Sequence, residues 1–267
     1  MAKCPEEMTN TMLKCGAENG AEVVLELRDI VKEYGRGKSL FRALNGVNLK
    51  IHTGEFVSIM GPSGSGKSTM LHFLGFLDMP TSGDALIYGT PMSKLTKDHL
   101  AEIRNEKIGF VFQSFNLAPT LSVSKNVELP LIIAEREAGN RRKKVEELLT
   151  SVGLLQKWDS LPSQLSGGER QRAAIARALA MEPEIILADE PTGNLDSASG
   201  KHVMDVLHDL WKRQGKTVVI VTHEPVVAAY AKRTIYIRDG KVEKDTEQPG
   251  RKAGADELKV KELKVRK

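Results

Sequence analysis

Nine consecutive residues, Gly61-Pro62-Ser63-Gly64-Ser65-Gly66-Lys67-Ser68-Thr69, have the composition and spacing of a phosphate-binding loop. Gly61, Gly64 and Gly66 let the backbone approach phosphate oxygens, with consecutive N–H groups pointed at them. The helix expected from Lys67 adds its positive N-terminal end. Lys67 brings a mobile cation for the β- and γ-phosphates, and Ser68 a hydroxyl for Mg²⁺. Far downstream, the apolar run Ile185-Ile186-Leu187-Ala188 leads into Asp189-Glu190. A carboxylate at the end of such a strand emerges at the C-terminal edge of the sheet, where ligands of open α/β sheets bind. Asp189 is therefore the expected magnesium-side carboxylate. Between the two lies Ser166-Gly167-Gly168, which opens a helix and forms a second anion-binding helix start without a lysine of its own.

The elements around these residues follow from hydrophobic period. Val24–Val31 and Leu44–Ile51 read as strands, and Phe56–Met60 is a short apolar strand running into the glycine loop. Strands follow at Ala85–Tyr88 and Ile108–Phe112, with a charged helical stretch, Asp98–Arg104, between them. Ser122–Arg136 reads as helical with a kink or restart at Pro130. Gly139-Asn140 reads as a break before a second helix that opens with Arg141–Glu147 and ends at Gly153. Ser166 caps a helix rich in Ala and Arg, closed by Pro183. A helix from Ser197 to Arg213 and a strand at Thr217–Val221 complete the pattern. Val/Ile-rich runs alternating with helices predict a mainly parallel α/β sheet.

The length of 267 residues suits one large domain, and 40% hydrophobic content is enough for a core. The formal charge of +4 is concentrated in Lys241–Lys267, which holds nine Lys/Arg and six Asp/Glu. The remainder is nearly neutral, which gives no support to a nucleic-acid partner. Residues 1–20 and 246–267 read as a disordered segment and a charged flexible tail, and the tail begins to lose its pattern after Lys241. The two cysteines, Cys4 and Cys15, match no zinc or disulfide pattern. No run approaches the roughly 18 apolar residues of a membrane span. No secretory signal is evident in the first 20 residues, so a cytosolic protein is expected.

The order of phosphate loop, Leu165-Ser166-Gly167-Gly168-Glu169 and Asp189-Glu190 resembles the ATPase cassette of ATP-binding cassette (ABC) transporters, over residues 23–245. Met60–Met70, Ile108–Gln113, Asn126–Pro130 and Ala188–Asp196 carry a narrower resemblance to lipoprotein-release and macrolide-export type cassettes. The resemblance implies a P-loop NTPase fold: a mainly parallel core sheet, an antiparallel β subdomain, and a helical subdomain inserted at about 114–165. It implies ATP and Mg²⁺ as cofactors. Glu190 is implied as the catalytic glutamate that orients or deprotonates water, and His223 as the switch histidine at the γ-phosphate. Gln113 is implied as the glutamine that senses Mg²⁺ and water, and Tyr34 as the aromatic stacked on adenine. Ser166, Gly167 and Gly168 are implied to cap the γ-phosphate held by another copy, in a homodimer formed on ATP binding. Leu195-Asp196 resembles the loop that links the two sites across that interface. Two positions depart from the family pattern: Glu169 stands for the commoner Gln, and Glu224 for the usual Asp.

The expected function is an ATP-hydrolysing subunit at the cytoplasmic face of the membrane, peripheral, driving an integral-membrane permease. The alternative is a cell-division type cassette whose permease-like partner moves no solute. Soluble repair or translation ATPases fit poorly. The stretch from Ser68 to Ser166 is too short for an inserted coiled coil, and the chain has one cassette.

Overall fold

The structure, a computed structural model, describes residues 22–247. Along the chain lie β1 (Val23–Tyr34), β2 (Phe41–His52), β3 (Phe56–Met60), α1 (Lys67–Leu74), β4 (Ser82–Ile87), β5 (Thr90–Pro91) and α2 (Lys97–Lys107). Then come β6 (Ile108–Val111), α3 (Val123–Ile133), α4 (Ala138–Ser151), α5 (Gly167–Ala178), β7 (Ile185–Asp189) and α6 (Ser197–Gln214). The chain finishes with β8 (Thr217–Thr222), α7 (Pro225–Ala228), β9 (Arg233–Arg238) and β10 (Lys241–Glu247).

Two sheets form. The larger has the order β10-β9-β3-β8-β7-β6, parallel throughout except for the antiparallel edge strand β10. The smaller is antiparallel, with the order β2-β1-β4-β5. In β8 every residue is buried, and its side chains alternate between two cores. Val218 and Ile220 pack towards the helices α3–α6, whereas Val219 and Val221 pack towards α1 and the antiparallel sheet. This is the period-two pattern of a strand covered on both faces. The ladder places β7 and β8 side by side in fixed register, Asp189 opposite Val221.

Four expectations need correction. Gly139 and Asn140 do not break a helix; they lie in the first turn of α4, where N–H groups have no intrahelical partner and weak formers cost little. The break falls earlier, at Ala134–Glu137, where Glu135 takes φ +53. Nor does Pro130 restart α3, which runs through it to Ile133. A helical proline removes one bond, and packing of Val123, Val127 and Leu131 holds the helix across the gap. The segment from Lys241 is not a free tail up to Glu247: it pairs antiparallel with β9, and Arg233 forks onto Asp245 at 2.7 and 2.9 Å. The rest of the predicted tail, and residues 1–20, lie outside the described residues. Helix α5 also stops at Ala178, before Pro183 is reached.

Candidate active site

The loop after β3 and the helix α1 build a phosphate cradle from backbone. Gly66 is the N-cap of α1 at φ +99, a conformation a side chain would strain, and its ideal Cβ would lie 2.5 Å from the Ala43 carbonyl. The Lys67 ammonium is nearly buried and donates to the carbonyls of Gly61 and Pro62, both at 2.9 Å. It therefore arches back over the loop it belongs to. Ser65 is buried too, and its hydroxyl has no hydrogen-bond partner. Pro62, Ser63 and Gly64 complete the turn, and Thr69 sits in the first turn of α1.

Two strand ends bring the acids to this loop. The Ser68 hydroxyl donates to Asp189 at 3.0 Å, across 121 positions of sequence. Burial pushes the Asp189 carboxyl up from its ordinary value, with the Ser68 hydrogen bond opposing the shift. Glu190 takes φ +43, unusual for a residue with a side chain, while its N–H still donates to Val221 at 3.0 Å. Such backbone costs about 1–3 kcal/mol and persists where the surroundings hold it. The Glu190 Oε1 lies 3.1 Å from His223 Nδ1, at the end of the neighbouring strand.

Gln113, just past β6, joins the same group. Gly193 has no room for a methyl: its ideal Cβ would lie 2.8 Å from Gln113 Nε2 and 3.4 Å from Glu190 Oε2. The Asn194 amide donates to the Gln113 carbonyl at 3.0 Å. Thus Ser68, Asp189, Glu190, His223 and Gln113 come together at one edge of the large sheet. The oxygen ligands brought together at Ser68 are its own hydroxyl and the Asp189 carboxylate, with the Gln113 amide nearer Glu190. Oxygen ligands this few suit Mg²⁺, which keeps several waters and takes substrate phosphate oxygens. Among the described residues no group of three or more His, Cys, Asp and Glu competes as a metal centre.

Tyr34, at the end of β1, is 42% exposed, and its hydroxyl donates to Asp78 at 3.1 Å. The Thr69 hydroxyl faces the same phenol. Tyr34 is thereby tied to the helix that carries Lys67.

Ser166, Gly167 and Gly168 occupy a different place. Ser166 caps α5 through a reciprocal pair: its hydroxyl accepts from the Glu169 N–H at 3.2 Å, and its own N–H donates to Glu169 Oε2 at 2.8 Å. The Ser166 N–H is also what holds the Glu169 carboxyl below the usual range. Glu169 thus serves as the cap partner, a task its carboxylate performs as well as an amide. Asp196 caps α6 in turn, accepting from Ala198 and Ser199. The two helix starts touch, since a Cβ on Gly168 would meet the Ser199 hydroxyl at 2.7 Å. Among the described residues no hydrogen bond joins Ser166–Gly168 or Asp196 to the phosphate loop.

Several residues at the site escaped the sequence reading. Gln171, fully buried, donates to the Pro191 carbonyl at 2.8 Å and so ties α5 to the residue after Glu190. Thr192 donates to Glu224 at 3.2 Å, which gives the departing Glu224 a partner. Arg177 reaches the carbonyls of Phe115 and Asn116 at 3.0 and 2.5 Å and holds the loop after Gln113. A signal was present for Thr192 and Asn194, which follow the acidic pair in a turn; Gln171 and Arg177 are ordinary helix polar residues until the loops fold against them. Beside that loop opens a cavity of about 310 Å³, with Phe110, Phe112 and Met181 among its apolar lining and Arg104 and Arg177 among its polar lining.

A family model described as ABC transporter matches residues 44–193. The chain is 51% identical over 231 residues to the uncharacterized ABC transporter ATP-binding protein MJ0796 of Methanocaldococcus jannaschii, covering 85% of this chain and 98% of that one. It is 48% identical over 223 residues to the macrolide export ATP-binding/permease protein MacB of Hyphomonas neptunium. That match covers 84% of this chain but 34% of the longer relative. Among solved structures, a dimeric post-hydrolysis state of the MJ0796 cassette bound to ADP and Pi superposes with a TM-score of 0.79 at 50% identity. It covers 84% of this chain and 98% of that one.

Proposed function

The chain belongs to the ABC transporter ATPase family, and from that premise we propose how its residues bind and cleave ATP and what they drive. The observation that carries the reading is the meeting of Ser68, Asp189, Glu190, His223 and Gln113 beside a glycine-rich helix start. Backbone N–H groups from Gly61 to Thr69 hold the phosphates, and Lys67 exchanges its two carbonyl partners for phosphate oxygens. Ser68 and Asp189, with Gln113 at the margin, would hold Mg²⁺, which when bound would neutralise charge on the phosphate oxygens. Glu190 orients the attacking water and takes its proton. His223 keeps the Glu190 carboxylate aimed and faces the γ-phosphate. Tyr34 stacks on adenine, a contact worth about 1–3 kcal/mol in other nucleotide sites.

The start of α5 supplies phosphate-binding N–H groups that its own loop does not use. A second copy, related by two-fold symmetry, places Ser166–Gly168 over the γ-phosphate of the first, with Asp196 between the sites. The dimer bound to ADP and Pi formed by the MJ0796 cassette supports this arrangement. Among the described residues no helix is long and apolar enough to cross a membrane, and the partner proposed for the subunit is an integral-membrane permease. The cavity beside the Gln113 loop, with Phe110, Phe112 and Met181 in its lining, is the seat for that partner. The subunit works peripherally at the cytoplasmic face, and the fused ATPase and permease halves named in MacB support an export or lipoprotein-release type. Residues 21–245 act as one ATPase domain, with the antiparallel sheet and the helices within about 114–165 as its subdomains.

The test is affinity capture with tagged Glu190→Gln and ATP from detergent-solubilised membranes. Recovery of a permease with a large outer domain supports the transporter reading. Cell-division proteins would move it to a non-transporting regulator, and soluble partners alone would overturn it.

A further inference from the structure

We propose that Lys32 and Asp78 are positioning residues that set the Tyr34 ring at a fixed distance from the phosphate loop. The inference rests on Tyr34 being the adenine platform. The Lys32 ammonium lies 5.0 Å from the centre of the Tyr34 ring and 5.9 Å from that of Phe73, which belongs to α1. It donates to Asp78 Oδ1 at 2.9 Å and to the Met79 carbonyl at 2.8 Å. Asp78 Oδ2, which also lies 2.9 Å from the Lys32 ammonium, accepts the Tyr34 hydroxyl at 3.1 Å. One carboxylate therefore bridges the cation and the phenol. Asp78 stands four positions beyond the end of α1, the helix whose first residue is Lys67.

The loop from Asp78 is clamped to β1 at further points. The Thr81 N–H donates to the Val31 carbonyl at 2.8 Å, and the Glu33 N–H donates to the Thr81 hydroxyl at 3.0 Å. Strand β1, which carries the ring, and helix α1, which carries the phosphate lysine, are thus tied at both ends of the pair. Lys32 is well covered, at 13% side-chain exposure, while Tyr34 is 42% exposed. The cation occupies one face of the ring and leaves the other to a base. A cation held against one face also polarises the ring and fixes its plane. The result is a ruler: one end grips phosphates, the other presents a flat surface at nucleoside length.

A ruler acts only on ligands long enough to span it. In the full chain with Mg²⁺, Lys32→Met and Asp78→Asn are expected to weaken ATP binding about threefold to fivefold. Inorganic tripolyphosphate, which has no base, is expected to bind each variant as it binds the parent. Lys32→Arg is expected to restore ATP affinity. In a Tyr34→Ala background, Lys32→Met is expected to add no further loss, because its effect passes through the ring. Equal losses for ATP and tripolyphosphate, or a full further loss without Tyr34, would overturn the proposal. If Tyr34→Ala itself leaves ATP affinity unchanged, the platform reading of Tyr34 fails, a result separable from failure of Lys32 alone.

Discussion

His223 Nδ1 and Glu190 Oε1 lie 3.1 Å apart, each just past the end of one of two neighbouring parallel strands. A carboxylate oxygen accepts, so Nδ1 is the ring nitrogen that donates to Glu190. The pairing fixes the carboxylate against its strained backbone at φ +43. Removing the acid while keeping the shape isolates proton abstraction from binding.

Glu190→Gln is accordingly expected to bind ATP normally and to lose turnover by about 10²–10⁴-fold. Size-exclusion chromatography with ATP should show a trapped dimer. Unimpaired phosphate release would remove Glu190 from its role.

Lys67→Ala deletes a charged donor from the phosphate loop, and a charge-assisted hydrogen bond contributes about 1.5–3 kcal/mol. ATP affinity is expected to fall on the order of 10–100-fold in an equilibrium titration. Parent-like affinity would contradict the phosphate-loop assignment.

Ser166→Arg removes the α5 cap, at about 1 kcal/mol, and places bulk on the face offered to a second copy. In the Glu190→Gln background it should abolish the ATP-induced dimer and leave monomer nucleotide binding intact. Loss of both at once would mean that the helix start serves its own chain.

Asp189→Asn tests the buried carboxyl. Its raised folded value means that the folded chain holds this proton more tightly than the unfolded chain does. The charge therefore counts against stability above its raised value, and the penalty vanishes below the ordinary carboxylate range. In EDTA at pH 7 the variant is expected to melt higher than the parent, with the gap closing near about pH 4. It should also lose Mg²⁺-dependent turnover. A lower melting temperature at pH 7 would show that Asp189 is stabilised by partners rather than penalised by burial.

The parallel core and the phosphate loop were legible because their signals are local. An apolar run, three glycines and a lysine sit within a dozen residues, and Asp189 follows its strand directly. β9 was missed: Arg233-Thr-Ile-Tyr-Ile-Arg alternates, but charged ends disguise a strand that packs between β3 and β10. β10 looked like a tail because five of its seven residues are charged, as suits a solvent-facing edge. Lys32, Asp78, Gln171 and Arg177 carry no local signature at all. Their partners lie between 2 and 62 positions away, and only tertiary folding brings a carbonyl or ring against them. The Gly139-Asn140 misreading came from treating weak helix formers as stops, when position within the helix decides their cost.

The Asn194 amide donates to the Gln113 carbonyl, and Gly193 lies beside both the Gln113 amide and the Glu190 carboxylate. The turn after Glu190 is thereby tied to the loop whose Phe112 and Asn116 line the cavity. On the proposed function, such a linkage is a guard against idling: fuel would be burned at full rate only when something presses on the wall. The basal rate then becomes a property of the whole assembly, and a loosened Asn194 would leave an engine that runs with the clutch disengaged.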